Sequence, residues 1–385
     1  MSRAEKRFVF IFLNVMGGVP SFYRNIINGQ RIVSPELIRV ILLNNKEDTR
    51  PKFVDDLNAS EVITFDYSDK ENQYYIQKRL GKIIGDCSGS VITDHSLSLQ
   101  TVNLFNRNRT VFHLIHDYYY VNQNIQMGDM VDVAIAHSSF FTDAVFASNP
   151  ALFYGRSFYI PYGVQQLQTM PVKNNAVLNL VFIGRLDESK GVMLLHEIER
   201  KLKEKVVQVN WTVIGKGPKK KELVKQWESE NNISFYEPDT TADVYEILKS
   251  QDIFVFPTVF EGTPVSILEC LANGVVTITN DLPGGIRDIV KTQIGFRCEL
   301  NNIDQYVEII ISLHNDRQLL KQLQANSFAL AASDYDINKN ADNYFRTFLK
   351  FDELKRSYKK SSFKMSRLDR SVFPNAIVKF IRSIR

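Results

Sequence analysis

Residues 252–290 read DIFVFPTVFEGTPVSILECLANGVVTITNDLPGGIRDIV. Ile253 to Phe256 is a short unbroken apolar run closed by Pro257, the pattern of a strand buried on both faces of a parallel sheet. Glu261 therefore follows the carboxyl end of a strand, where open α/β sheets bind ligands. Thr263 suits an N-cap and Pro264 a first helical position, which predicts a helix starting here and carrying Glu269 about two turns in. The first amides of such a helix lack intrahelical partners and carry partial positive charge, so they draw a phosphate or a polar sugar edge. Glu261 at the mouth and Glu269 on the helix wall would flank that anion. Each carboxylate can accept two hydrogen bonds from vicinal hydroxyls, such as those of a sugar or a ribose.

Spacing alone decides little, because Glu222 and Glu230 are also eight apart. They lie in KKKELVKQWESENN (219–232), a charged helix face with no strand before it and no glycine loop, which reads as solvated surface. Placed behind a buried strand, EGTPVSILE (261–269) instead resembles the Glu-x7-Glu signature of the retaining family 4 glycosyltransferases of GT-B fold. The resemblance implies that Glu261 contacts a donor sugar, Glu269 the ribose of its nucleotide, and the backbone between them the sugar and phosphate. Many members have EGFG where this chain has EGTP, and Pro264 has no amide hydrogen. The donor contacts then fall to Gly262, Thr263, Val265 and Ser266.

Upstream, LNLVFIGRLDESKGVMLLHEIERKL (178–202) reads as a strand, a polar loop and a helix from about Gly191. Arg185 and Lys190 are five apart across that loop, so a guanidinium fork and an ammonium point charge can meet one diphosphate. In the family resembled, the matching pair neutralises the departing nucleotide diphosphate. VNWTVIGKGPKKKEL (209–223) resembles the family's VGxGP turn. It lacks the third glycine of GxGxxG and a following acidic residue on a strand, which argues against a hydride-transfer cofactor. The loop at Phe235 to Glu237, centred on Tyr236, corresponds to the family's nucleotide-base side.

The first half has the same rhythm. Phe8 to Val15 is an apolar strand, and Met16, Gly17, Gly18 and Val19 lead into the helical SFYRNIINGQ. The glycine pair reads either as a close approach to a ligand at a helix start or as a tight turn; the resemblance makes it the loop facing donor phosphates and acceptor. SVITDHSLSLQTVNLF and RTVFHLIHDYYY are strand-to-helix units that end in His95, His116 and Asp117. His113 and His116, three apart across a strand end, suit no short zinc motif, so no metal is expected. The resemblance makes His116 a group that positions the donor near the reacting carbon, with Asp117 alongside; the other reading is a histidine packed under Tyr118 to Tyr120. DYD (334–336) has the letters of a metal-binding DxD but follows a helix, and Arg185 with Lys190 supply the charge a Mg²⁺ would bring.

A chain of 385 residues exceeds one ordinary core and suits two α/β domains. Cys87, Cys270 and Cys298 are few, scattered and odd in number, pointing to a reducing compartment without a disulfide framework. The absence of a long apolar run or a signal pattern points to a cytoplasmic protein. The net charge of +4 is uneven: residues 355–385 have ten Lys and Arg against Asp369 alone, so the rest of the chain carries −5. In SVFPNAIVKFIRSIR, Ser371 can cap and Pro374 can start a helix. Phe373, Ile377, Ile381 and Ile384 share one face while Lys379, Arg382 and Arg385 lie off it. That face fits an anionic membrane or the chain's own first domain; without interleaved aromatics it does not fit nucleic acid.

The expected architecture is α/β, GT-B: two Rossmann-like domains facing a central cleft, with a C-terminal helix crossing back to the first. Residues 1–166 form the acceptor domain, 167–178 a linker, 179–333 the nucleotide-sugar domain, 334–352 the crossover helix and 353–385 a basic tail. The expected function is retaining, metal-independent transfer of a sugar from a nucleotide diphosphate sugar to a lipid-linked or cell-envelope glycan acceptor, peripheral on the inner membrane face. No cofactor is expected beyond the donor substrate. A non-catalytic sugar-binding partner of another transferase should have lost Arg185, Lys190 or a glutamate, and a GT-B sugar-nucleotide epimerase should lack the paired glutamates.

Overall fold

The computed structural model describes residues 7–53, 56–238, 240–357 and 365–384. The chain divides into two compact units, one made of the residues up to Pro161 together with those from Asn338 on, the other of Tyr162–Ile337.

The first unit contains strands β1 (Phe8–Leu13), β2 (Ile38–Asn45), β3 (Glu61–Tyr67), β4 (Gly89–Thr93), β5 (Arg109–Ile115), β6 (Val133–Ala136) and β7 (Ser157–Tyr159). All pair in parallel, in the order β3-β2-β1-β4-β5-β6-β7. Helices α1 (Gly18–Gly29), α2 (Gln73–Ile84), α3 (Ser96–Phe105), α4 (Tyr118–Met127), α5 (Ser139–Ser148) and the short α6 (Pro150–Phe153) connect them. Most start on a side-chain cap: Asn72 for α2, His95 for α3, Asp117 for α4 and Ser138 for α5. The central strands β1, β4 and β5 are buried along almost their whole length, which is why they read as unbroken apolar runs.

The second unit has β8 (Leu178–Ile183), β9 (Val209–Ile214), β10 (Ile233–Tyr236), β11 (Ile253–Phe256), β12 (Val276–Asn280) and β13 (Gly295–Cys298), also parallel, in the order β10-β9-β8-β11-β12-β13. Between and after them lie α7 (Leu195–Glu204), α8 (Lys220–Gln226), α9 (Thr241–Leu248), α10 (Val265–Ala272), α11 (Gly285–Ile289), α12 (Ile303–Asn315) and α13 (Arg317–Asp334). In each sheet the strand order reverses between the first and the fourth strand. Such a switch point leaves a crevice at the carboxyl edge, because the flanking crossovers run to opposite faces.

The segment expected as a linker is partly anchored: Lys173 donates to the Gly274 carbonyl at 2.8 Å, and burial pulls its ammonium pKa down to about 8. The DYD letters have a structural use. Val164 N donates to Tyr335 O (2.8 Å) and Ile337 N to Val164 O (3.1 Å), so this segment stitches together two stretches of the second unit. Beyond it, α14 (Ile337–Phe348) returns to the first unit, where Phe345 meets the rings of Phe8 and Phe10 and Phe348 those of Phe10 and Phe112.

After the short α15 (Phe351–Leu354), the tail helix α16 (Asn375–Ser383) docks on the amino end of α2. Gln73 N donates to Asp369 Oδ1 (2.8 Å), Asn72 Nδ2 to Phe373 O (2.8 Å), and Arg382 pairs with both Asp369 oxygens. Among the described tail residues, then, packing on the chain's own first unit is realised. Val378 is the fully buried residue, and Ile381 is half-buried, so it does not share one face with the exposed Phe373, Ile377 and Ile384 as expected. Ser371 does not cap α16, whose N-cap is Pro374 without a side-chain hydrogen bond. Lys359, Lys360, Lys364 and Arg385 lie outside the described residues.

Candidate active site

At the switch point of the second sheet, the loop after β8 and the loop after β11 are bonded to each other. Val259 N and Thr258 Oγ1 both donate to Ser189 O, at 2.9 and 3.1 Å. Lys190 Nζ sits 2.5 Å from Glu261 Oε1 and 3.3 Å from the Phe260 carbonyl. Gly191 permits the approach: its φ is +67°, and a Cβ there would stand 2.0 Å from Pro257 O. Asp187 caps the short turn holding Lys190, accepting from its amide (3.2 Å) and from Ser189 Oγ (2.6 Å).

Arg185 is two-thirds exposed and pairs with Asp187 through Nε. Its charge is close enough to favour the ionised form of Glu261. Burial is the larger influence on that carboxyl and raises its pKa, against the opposing pull of Lys190 and Thr258. The structure thus brings Arg185, Lys190 and Glu261 together: two cations and a nearly buried carboxylate on neighbouring loops. Behind them, Tyr306 donates to Asn280 Oδ1 (2.9 Å) and Asn280 donates to Thr258 O (2.8 Å), so β12 and α12 hold the Glu261 loop from inside. Sequence reading missed Ser189, Thr258, Asn280 and Tyr306; a polar residue just past the buried β11 was the available signal for Thr258.

Helix α10 begins at Val265, with Pro264 as its N-cap and no side-chain cap bond. The expected start with Thr263 as cap and Pro264 inside is therefore displaced by one residue: Pro264 takes ψ 110°, in the extended region, before the helix begins. The Val265 and Ser266 amides are thereby the first of the helix. Glu269 is its fifth residue, just over one turn in rather than two, and half-buried. It is near enough to Tyr245 for its charge to add to the burial that raises the phenol pKa. Gly262 is pinned from a third loop: Gly285 N donates to Gly262 O at 3.0 Å. Tyr236 ends β10, is partly exposed, and accepts from Gly215 N through its carbonyl (3.0 Å). The second glutamate pair behaves differently, Glu222 bonding Lys219 on the surface and Glu230 bonding Lys203.

In the first unit, Gly17 and Gly18 open α1 at the carboxyl edge beside β4. An added Cβ would meet nothing within 4 Å at either glycine, so no protein neighbour demands them there. His116 follows β5 and is buried among the rings of Phe22, Tyr120 and His137. Burial pushes its pKa well below the ordinary histidine value, with His137 and His113 adding to the effect. Asp94 lies 3.9 Å from it, its carboxyl pKa raised to about 6 by burial, while the Asp117 side chain accepts from Tyr119 N (2.7 Å) as the cap of α4. His95 likewise caps α3, and His113 pairs with Asn124 (3.0 Å). These three side chains are engaged as caps and core partners; the sequence reading missed Asp94 and His137.

The class follows from these features together with the comparisons. Residues 171–329 match the family described as Glycosyl transferases group 1. In fold the chain is similar to the Anabaena protein HepE, solved in complex with UDP and glucose (TM-score 0.70, 15% identity, covering 90% of this chain and all of that one). In fold the chain is of the GT-B type, and the match to the glycosyl transferases group 1 family lies within its second unit.

Two relatives sharpen the likeness. An uncharacterized glycosyltransferase of Haemophilus influenzae is 28% identical over 172 residues, 44% of this chain and 47% of the relative. The N,N'-diacetylbacillosaminyl-diphospho-undecaprenol alpha-1,3-N-acetylgalactosaminyltransferase of Campylobacter jejuni is 30% identical over 169 residues, 44% of each chain. Each match spans less than half of the relative's length.

Proposed function

We propose that the protein transfers a sugar, with retention at the anomeric carbon, from a nucleotide diphosphate sugar to a lipid-linked or cell-envelope glycan acceptor. The observation that carries this reading is the meeting of Arg185, Lys190 and Glu261 on adjacent loops at the switch point of the second sheet, beside the first amides of α10. Arg185, Lys190 and the Val265 and Ser266 amides stabilise the departing diphosphate. Glu261 orients the donor sugar, Glu269 holds the ribose, Tyr236 flanks the base, and His116 with the Gly17–Gly18 loop serves the reacting carbon and the acceptor. The bond from the anomeric carbon to the diphosphate oxygen breaks as the acceptor hydroxyl attacks from the same face. Its proton passes to the diphosphate oxygen as that oxygen leaves. Positioning and fixed charge do the work, so the step is proposed to run without a resident metal.

The acceptor class is supported by the Campylobacter relative, whose name specifies a diphospho-undecaprenol substrate. Among the described residues no helix is long and apolar enough to cross a membrane. The outward stripe of α16, formed by Phe373, Ile377, Phe380 and Ile384, is 36–70% exposed, with Lys379 beside it. This supports a peripheral seat on an anionic inner membrane face, each near-surface cation adding roughly 1 kcal/mol.

The test is to offer UDP-, GDP- and ADP-sugars with an undecaprenyl-diphosphate-linked acceptor and to read the anomeric configuration of the product by proton NMR. Transfer with retention is expected; inversion, or indifference to every activated sugar, refutes the reading. Co-sedimentation with phosphatidylglycerol vesicles should weaken several-fold on Phe380→Glu, and unchanged sedimentation removes the membrane seat.

A further inference from the structure

A cavity lies in the first unit at the amino edge of β5, β6 and β7, the opposite end of the sheet from His116 and Gly17. Along β5 the two ends are roughly 20 Å apart, six residue steps at about 3.3 Å each. The cavity holds about 220 Å³ and is lined by Arg107, Arg109, Arg156, Lys355 and Arg356, against the carboxylates of Asp129 and Asp132.

The hydrogen bonds these guanidiniums make go largely to carbonyl oxygens, which satisfy N–H groups without neutralising charge. Arg109 donates to the carbonyls of Gly85 and Ile84 (3.1 Å each), Arg156 to that of Leu354 (3.2 Å), and Arg356 to those of Gly128 (2.9 Å) and Asp129 (3.1 Å). Asp132 turns its two oxygens to the Val111 and Arg356 amides, at 2.8 and 2.9 Å. Its carboxylate stays 3.8 Å from Arg356 Nε, a buried nitrogen with no hydrogen-bond partner among the described residues. Arg156 repels Arg356, whose pKa is lowered chiefly by burial. Like charges gathered around a cavity, with one buried donor in its wall left unused, make a cradle for a multivalent oxyanion that takes several N–H groups at once.

We infer that this cavity binds a phosphate group, held by Arg156, Arg356 and Lys355, independently of the donor site. The phosphate belongs either to a soluble phosphate ester or to the headgroup of an anionic lipid.

The full chain carrying Lys190→Ala, which weakens the donor-side phosphate contact equally in every arm, is compared with the same chain also carrying Arg156→Gln or, separately, Lys355→Gln. Thermal unfolding is followed with and without inorganic phosphate and glycerol 1-phosphate, and sedimentation with vesicles of phosphatidylglycerol or phosphatidylcholine. Saturating soluble phosphate should raise the Tm of the parent by roughly 5 °C, and by less than half of that in either double variant. Without phosphate, Arg156→Gln should melt no lower than its parent, because it removes a charge that repels Arg356. A lipid source shows instead as no response to soluble phosphate but several-fold weaker binding of the double variants to phosphatidylglycerol vesicles. Equal phosphate responses in parent and variants, or no response to either probe, overturns the site; the donor reading is untouched, since Lys190 is absent throughout.

Discussion

The two switch points of the molecule are built differently. In the second unit, loops meet backbone to backbone, and the charged groups Lys190 and Glu261 satisfy each other across the seam. In the first unit, the carboxyl edge is lined by buried titratable groups, His116, His137 and Asp94, held among aromatic rings. A site of fixed charge works by electrostatics that need no change of protonation. A site of buried neutral imidazoles ties stability to pH.

The largest effect expected from breaking this contrast is on rate. Lys190→Ala should lower transfer by about 10²–10³-fold, the scale for losing one preorganised donor to developing charge, and Glu261→Ala should match it within tenfold. Initial rates at saturating donor measure this; a loss under tenfold in both removes the pair from the reaction.

The next effect separates the units by pH. Burial lowers the pKa of His95 and His113 to about 4 and of His137 to about 3, so the folded first unit keeps them neutral while the unfolded chain protonates below about 6.5. Their stabilisation is therefore complete above pH 6.5 and lost as pH falls toward 4, on the order of 3 kcal/mol per histidine. Asp94, raised to about 6, works the other way, favouring the fold at low pH and losing that contribution between about 4 and 6, but it is one group against several. Acid melts followed by hydrogen exchange should show the first unit opening below pH 6 while the second is still protected; simultaneous opening contradicts this.

Gly191→Ala tests the seam itself. Positive φ and the 2.0 Å approach to Pro257 O should cost about 1–3 kcal/mol in denaturant unfolding and reduce transfer as Lys190 shifts. The smallest effect is expected from the control pair: Glu222→Ala should leave stability within about 0.5 kcal/mol and leave transfer unchanged.

Strand identities and the Arg185, Lys190 and Glu261 positions were legible in the sequence because buried parallel strands leave unbroken apolar runs, and the loops after them carry the unusual polar residues. The roles of Asp94, His137 and Asp117 were not. That Asp94 lies 3.9 Å from His116 depends on the pairing of β4 with β5, and Asp94 and Asp117 look alike as single letters. The tail shows the same limit. Its periodicity marked a helix, but whether Val378 or Ile377 turned inward depended on Asn72, Asp369 and Arg382, contacts spanning up to 313 residues of chain. The sequence by itself determined two parallel α/β sheets and the loops that carry the proposed site, since local hydrophobic period and turn residues act over a few positions. The tertiary structure alone decided which side chains meet, because long-range pairing and burial, which no local pattern encodes, set the partners and the protonation of each.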